Sequence, residues 1–410
     1  MRVLILSQYY HPEPVPKPLE LAQALTEYGH TVSVITGFPN YPSGNLYDGY
    51  RLGLVRREIA DGIPVTRTYE YPYHGTRAIG RVLNYLSFML SAPLGSFFSP
   101  KCDAIYVWHP PLTVGVAAWI VARLRRVPFV YDVQDIWPDS VVLSGLMKPG
   151  TTVKVLSWLE KFVYRRASHI LVVTNGARDN LIRKGVPPEK VTAMPHWIDE
   201  QLFQPGGAAE RDELRAHYQW QDRFVVLFAG NLGMVQGLET VVRAADRLAK
   251  GGPALIVLVG DGTDKARLES LANDLGVQDR LQFIDRQPME SMPAFMSAAD
   301  ALLVHLKRSE LTELVIPTKT MAYLAAGKPI LMAMNGAAAD LVEESQAGAF
   351  VEPEDPTALA AAIEQFSRMP PAELAALGEN GRQYLVSHLS KSKVIKLYEE
   401  VLSRVAQKGT

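Results

Sequence analysis

Short apolar runs alternate with longer stretches in which apolar residues recur at helical spacing, and the alternation continues through both halves of the chain. In the first half the runs are RVLILS, TVSVIT, AIYVWH, PFVYDV and HILVVT, with amphipathic stretches such as PLELAQALTEYG between them. The second half repeats the pattern with FVVLFAG, LIVLVGDG, LQFI, ALLVHL and PILMA. Parallel strands covered by helices on both faces have no solvent side, so they read as continuous apolar runs. Runs of this kind separated by helices predict βαβ units. The expected fold class is α/β, with two doubly wound domains. A length of 410 residues supports the second domain, because single hydrophobic cores stop growing below that size.

The join is placed near Ile198–Asp222, where IDEQLFQPGGAAERDEL mixes proline, glycine and charge. This gives domains at 1–200 and 201–387. The tail LSKSKVIKLYEEVLSRVAQ carries apolar residues at Val394, Leu397, Val401 and Val405. It predicts a long helix over 388–410 that packs back on the first domain. One further segment, Val82–Pro100, is uncharged and follows Arg77 and Arg81. It is almost long enough to span a bilayer, but Asn84, four serines and Pro93 suit it poorly to the task. Either an interfacial helix with a basic flank or a buried helix of the first domain accounts for it. Arg123, Arg125 and Arg126 add a second basic cluster.

Composition narrows the class without choosing an activity. With 48% hydrophobic and 21% charged residues, neither disorder nor a polytopic membrane protein is indicated. The single cysteine, Cys102, excludes an intrachain disulfide framework and suits a reducing compartment. MRVLILSQYY has too short an apolar run for a signal peptide, so the expected location is cytoplasmic. The net charge of −1 conceals an asymmetry. Met1–Glu200 holds 21 Lys+Arg against 16 Asp+Glu, whereas Gln201–Thr410 holds 21 against 27, which is +5 against −6. The basic half is the one suited to an anionic membrane surface, and nothing points to nucleic acid.

The chemistry-bearing residues fall at the C-terminal ends of the expected strands, the edge at which open α/β sheets bind ligands. In VHLKRSELTELVIPTKTMAYLAAGKPI, Pro317 reads as a first helical residue and Gly327 as the helix stop. Lys319 in the first turn is unfavourable beside the positive end of a helix dipole, unless an anion sits there. Alone, the segment is equally an ordinary surface loop. The turn FAGNLGMVQGLET, with Gly230, Gly233 and Gly237, allows close backbone approach to a ligand. Gly260, Asp261 and Gly262 follow the next strand, and Arg286 lies in FIDRQ after the one beyond. In the first half, VYDVQDIWPDS places Gln134, Asp135 and Asp139 at a strand end, and VWHPPL brings His109 to the same edge. Such carboxylates can orient a hydroxyl-rich substrate or accept its proton, although an N-cap at Asp139 and an Asx-turn at Asp135 are equally available. There is no HExxH, no Cys/His cluster and no DxD triplet, so no metal site is expected. The first loop, QYYHPEPVPKP, lacks a G-x-G-x-x-G fingerprint, which argues against a nicotinamide cofactor.

Taken in order, LSQYYHPEP, GHTVSVITGFPNYP, DIWPDS, NGARDNLIRKGVPPEKV, PHW, GNLGMVQGLETVVRAADRL, VGDG and IPTKTMAYLAAGKPIL resemble family 4 glycosyltransferases of the GT-B fold. The resemblance covers nearly the whole chain and is strongest to the bacterial branch that builds O-antigen, colanic acid and capsule. It implies two Rossmann-like domains facing across a cleft. It further implies a retaining transferase without metal or cofactor, which takes a nucleotide sugar, most often UDP-linked, in the second domain. Donor contacts would come from Gly230, Asn231, Gly233, Gln236, Gly260, Asp261, Gly262, Arg286, Glu313, Pro317 and Thr318. Lys319 would stabilise the departing diphosphate, with Asp135, Gln134 and His109 as the other candidates for the reaction centre. His11, Glu13, Asp139 and Arg81 would meet the acceptor, a polyprenyl-diphosphate-linked sugar or other glycan, with the enzyme peripheral on the inner face of the membrane. The working expectation for the donor sugar is an N-acetylated deoxyhexosamine.

The chain departs from the family's pattern at several positions. Leu314 and Ala322 stand where paired glutamates are usual, the second of which contacts ribose. Asn231 and Gln236 replace an arginine and a lysine of the first phosphate loop, and Gln134 replaces a histidine. Glu310 and Glu313 are near enough in sequence to reach the donor sugar. These departures leave open a non-catalytic sugar-nucleotide-binding partner in a polysaccharide complex; a UDP-N-acetylhexosamine epimerase on the same fold is a further alternative, to which DIWPDS lends no support.

Overall fold

A computed structural model describes residues 1–75, 77–143, 147–148 and 150–408. The chain forms two compact units. The first comprises Met1–Val173, Ala177–Met194 and Ile395–Thr410, and the second comprises Thr174–Gly176 and Pro195–Val394. The main crossing therefore lies at Met194/Pro195, a few residues before the expected join at 200/201. Within the expected linker, Ala208–His217 is a helix with Glu210 in its first turn and Arg215 in its last, charges that complement the helix dipole.

The sheet of the first unit contains β1 (Arg2–Leu6), β2 (Thr31–Gly37), β3 (Val55–Ala60), β4 (Ile63–Thr68), β5 (Ala104–Trp108), β6 (Phe129–Val133), β7 (His169–Val172) and β8 (Val191–Ala193). Their spatial order is β3-β4-β2-β1-β5-β6-β7-β8, and among the described residues only the β3–β4 pair is antiparallel. That hairpin, absent from the sequence reading, turns on Asp61 and Gly62 at φ 51° and 78°. Asp-Gly with two positive φ values is a favoured two-residue hairpin turn. Among the helices are α1 (Pro16–Glu27), α2 (Ala78–Ser96), α3 (Thr113–Arg125), α4 (Asp139–Leu143) and α5 (Thr151–Arg166). α2 packs on β2 and β4, α3 packs on β5 and β6, and α3 lies between α2 and α5. Among the described residues no helix is long and apolar enough to cross a membrane.

The terminal helix Lys391–Lys408 joins the first unit from Ile395 onward. Its Tyr398 ring lies 6.2 Å from that of Tyr106, and Glu399 Oε1 is 3.0 Å from His30 Nε2. Val394, Val401 and Val405 are buried as expected from the pattern, but Leu397 is 41% exposed. Ile395, Tyr398 and Leu402 take the inner positions, so the buried face is rotated by one residue from the predicted stripe.

The second unit holds six parallel strands, β9 (Phe224–Ala229), β10 (Ala254–Val259), β11 (Leu281–Ile284), β12 (Ala301–His305), β13 (Ile330–Ala333) and β14 (Gly348–Phe350). Their order is β11-β10-β9-β12-β13-β14. The reversal of direction at β9 and β12 puts the ends of these two strands at the topological switch point, where a doubly wound sheet opens a crevice. Both faces of the sheet are apolar. One is sealed by residues such as Val225, Leu227 and Leu302, and the other by Val226, Phe228 and Leu303. The alternation along β9 thus feeds two separate cores.

Candidate functional site

The end of β9 continues into the loop Gly230–Gly237, and the helix Thr318–Ala325 brings Lys319 against it. Lys319 Nζ donates to Gln236 Oε1 at 3.1 Å and lies 3.5 Å from the centre of the Phe228 ring. Gly230 is at φ 147°, and a Cβ there would stand 3.0 Å from Nζ. The missing side chain is what lets the ammonium press against the strand end. Surrounded by protein, the amine is pushed down to about 7 by desolvation of its charged form. An ammonium held by one amide oxygen and a ring face is under-compensated, and a diphosphate would supply the opposite charge.

Pro317 is the cap rather than the first helical residue, with φ −57° and ψ 137°, and the helix starts at Thr318. Thr318 is exposed at that start, and Tyr323 on the inner face accepts the Ala229 N–H through its hydroxyl at 3.0 Å. This bond fixes the helix to the end of β9. The helix runs only to Ala325, and Gly327 at φ 63° ends the turn beyond it.

Gly260 and Gly262 serve the loop itself. A Cβ on Gly260 would fall 1.9 Å from Gly230 O, and one on Gly262 would fall 2.5 Å from Leu232 O. Leu232 N donates to Asp261 O at 2.8 Å and Asp264 N to Leu232 O at 2.9 Å, so two strand-end loops are fastened backbone to backbone. Asp261 is exposed, its carboxylate taking the Gly262 N–H at 2.7 Å. Asn231 lies against both loops, 2.7 Å from the Cβ positions of Gly233 and Gly262. Arg286 is exposed on the loop after β11, and Glu313 is exposed on a short turn pinned by Ser309 and Thr312. The structure thus gathers Gly230, Asn231, Gly233, Gln236 and Lys319 closely. It leaves Arg286 and Glu313 as outward-facing groups.

One residue beside the Lys319 loop escaped the sequence reading. His305, the last residue of β12, is fully buried with Nδ1 2.6 Å from Gln236 O. A histidine ending an apolar strand beside a glycine-rich loop was its only signal.

In the first unit, His109, Gln134 and Asp135 follow the adjoining ends of β5 and β6. His109 packs on Tyr131 and Trp137, with ring centres at 5.7 and 6.3 Å. Burial pushes its imidazole down to about 3, so it is uncharged at neutral pH and suits a hydrogen-bonding role, not proton storage. Asp135 reaches solvent, yet the protein crowding it pushes its carboxyl up to about 6. Gln134 is half-buried.

The expected acceptor residues separate into two groups. His11 is exposed, 3.8 Å from the Asp61 carboxylate, and Arg81 lies half-buried on α2 beside Tyr85. Glu13, by contrast, is 4% exposed and spends both oxygens on the backbone N–H groups of Tyr10, Asn40 and Tyr41, at 3.0, 2.9 and 2.8 Å. It latches two strand-end loops together. Asp139 opens α4 and pairs with Lys184 at 2.9 Å, and Lys184 also holds Glu160 at 2.8 Å. Sequence spacing could not reveal these internal partners.

Beside this edge lies a platform the sequence reading missed. Tyr9, Tyr41 and His74 have ring centres 5.1 to 5.8 Å apart, and Tyr85 stands edge-on to Trp137 at 6.3 Å. Beneath it the fully buried Glu70 accepts from Asn40 and Asn84, and Gln8 donates to Asn84 at 2.7 Å. Gly37 makes room for this carboxyl, since a Cβ there would lie 2.1 Å from Glu70 Oε2.

Residues 16–197 match the family described as Glycosyl transferase 4-like domain, and residues 210–384 match Glycosyl transferases group 1. WcaI of Escherichia coli strain K12, named as a colanic acid biosynthesis glycosyl transferase, is 30% identical over 97% of this chain and 98% of its own. Among solved structures, HepE of Anabaena in complex with UDP and glucose superposes with a TM-score of 0.71 at 19% identity, covering 98% of this chain and 99% of that one. Sucrose-phosphate synthase from Thermosynechococcus elongatus gives 0.74 at 18% identity, over 98% and 100%.

Proposed function

The chain belongs to the family 4 glycosyltransferases of the GT-B fold, in the polysaccharide-biosynthesis branch, and we propose that it is a retaining enzyme using a UDP-linked sugar. The observation that carries the donor side is the half-buried Lys319 ammonium, set against Gly230 and Gln236 at the switch point of the second unit's sheet. As the sugar–phosphate bond breaks, negative charge grows on the leaving diphosphate. A preorganised cation stabilises that charge more in the transition state than in the ground state. Exposed Glu313 and Arg286 are available to the sugar and nucleotide ends.

For the acceptor, the platform of Tyr41, His74, Tyr85 and Trp137, backed by the buried Tyr9, offers flat apolar faces with polar tips, a surface suited to sugar rings. Asp135 is the accessible carboxyl beside it. The acceptor we propose is a sugar on a polyprenyl diphosphate. This reading is supported by α2, whose Ile79, Val82, Leu83, Leu86, Leu90 and Leu94 form a continuous exposed stripe. Phe97 and Phe98 extend the stripe past the helix end, Arg77 and Arg81 flank its start, and Arg123 and Arg126 lie at the exposed end of the neighbouring α3. An exposed apolar stripe with basic flanks fits a peripheral protein seated on an anionic bilayer.

Purified protein incubated with UDP-, GDP- and dTDP-sugars and short-chain polyprenyl diphosphate acceptors tests the whole reading. The expected result is acceptor-dependent loss of a UDP-sugar, with the anomeric configuration preserved in the product. Thermal protection by none of the nucleotides, together with no turnover, overturns it. Tight UDP-sugar binding without transfer would instead favour a non-catalytic partner, a reading that the neutral Asn231, Gln236 and Ala322 keep in play.

A further inference from the structure

We infer that His305 is a positioning residue for the Lys319 site: through the Gln236 carbonyl it fixes the loop whose side chain holds the ammonium. His305 Nδ1 and Gln236 O are 2.6 Å apart. A carbonyl only accepts, so Nδ1 carries the proton and Nε2 is left as an acceptor, buried and without a partner among the described residues. The other end of Gln236 receives Lys319 Nζ at 3.1 Å. Three elements are thereby strung together: the end of β12, the loop after β9 and the helix Thr318–Ala325.

Two further observations place the ring under the loop. Gly237, next to Gln236, is at φ 65°, and a Cβ on it would lie 3.0 Å from His305 Cε1 and 3.0 Å from Lys307 Cγ. The imidazole therefore occupies space that a side chain on the loop would need. His305 is also 0% exposed, so solvent does not compete for its hydrogen bond. The charged groups acting on the ring are Lys319, which disfavours a second positive charge, and Glu354, which favours it. Burial outweighs Glu354 and keeps the imidazole neutral, so that it orients Lys319 without repelling it.

The inference rests on the donor-site reading of Lys319, and the test separates the two. His305→Asn retains an N–H donor, whereas His305→Leu fills the space without one. For each variant, melting temperature, kcat, donor KM, the alkaline limb of the kcat–pH profile and UDP binding by calorimetry are measured. We expect the Leu variant to lose roughly tenfold in kcat, the scale of one buried hydrogen bond. Its alkaline limb should move to lower pH, because an ammonium without its Gln236 acceptor is easier to deprotonate. The Asn variant should recover most of both effects, and Gln236→Ala should reproduce the Leu variant without adding to it.

Wild-type kcat and an unmoved limb in the Leu variant would overturn the inference, as would equal impairment of the Leu and Asn variants. Should the Leu variant fail to fold, Gln236→Ala decides alone, and an unmoved limb there is equally fatal. If wild-type protein binds UDP but transfers no sugar, the transferase reading fails. The calorimetric comparison then decides the inference, with weaker UDP binding in the Leu variant than in the Asn variant as the expected result and equal binding as the overturning one.

Discussion

Lys319 and Gln236 meet at 3.1 Å between the first turn of the helix Thr318–Ala325 and the loop after β9, and this is the only hydrogen bond the Lys319 ammonium makes among the described residues. Its remaining N–H directions have the Phe228 face and the space beside Gly230. The side chain is thus held in place before any substrate arrives, which is what preorganised stabilisation of a leaving group requires.

Replacing Lys319 by alanine should therefore depress kcat more than it raises the donor KM. Loss of one preorganised donor to a developing anion costs on the order of 10²–10³ in kcat, or ~2.7–4 kcal/mol. Single-turnover rates at saturating UDP-sugar are the direct check. A rate near that of the wild type would remove Lys319 from the leaving-group role.

Nucleotide binding should also take up a proton. Desolvation by the surrounding protein holds the Lys319 amine down to about 7, whereas a bound diphosphate favours its ammonium form. Well below pH 7 the group is already charged and no uptake is expected. Above it, binding must first protonate the amine, so UDP affinity should fall by about tenfold per pH unit until the bound-state value is reached. Calorimetry in two buffers of different ionisation enthalpy at pH 8 reads the uptake. A value near zero protons there would contradict the assignment.

On anionic vesicles, binding should weaken when Arg77 and Arg81 become glutamine, by ~1 kcal/mol for each charge near the surface. It should weaken separately when Leu90 or Leu94 on the exposed face of α2 becomes glutamate. Raised salt should mimic the arginine change and spare the apolar contribution. Co-sedimentation that ignores both sets of substitutions would show that the stripe faces something other than lipid.

Most strands were legible because buried parallel strands write continuous apolar runs, and the Lys319 loop was legible because a lysine at a helix start is electrostatically odd. What stayed hidden depends on partners distant in sequence. Glu13 and Asp139 look like free carboxylates at a binding edge, but backbone N–H groups of Asn40 and Tyr41 claim the first and Lys184 the second. The Asp61-Gly62 turn carried a strong hairpin signal, yet β3 breaks the expected βαβ rhythm, since Arg56, Arg57 and Glu58 leave it without an apolar run. Leu397 shows the same limit from the other side. It fits an apolar stripe, but the tertiary surface that the helix meets selects Tyr398.

Glu70 provides a test of the buried cluster that is independent of catalysis. Its carboxyl is fully buried, with Glu13 nearby, and both burial and that neighbour push it well above the usual carboxylate range. The folded protein therefore keeps this proton over a pH range in which the unfolded chain has released it. Below the unfolded value near 4.5 both states are protonated and the group costs nothing. As pH rises through and beyond that value, the cost grows, by at most ~1.4 kcal/mol per pH unit, until the folded group also ionises. Gln at this position is uncharged throughout, and its oxygen can still accept from Asn40 and Asn84. Other buried groups titrate too, so the informative quantity is the difference between Glu70→Gln and wild type in urea unfolding at matched pH. That difference should be small at pH 4.5 and should increasingly favour the variant towards pH 8. A difference that is flat with pH, in a variant that folds cooperatively, would mean that Glu70 is ionised in the native protein and that its charge is compensated within the cluster.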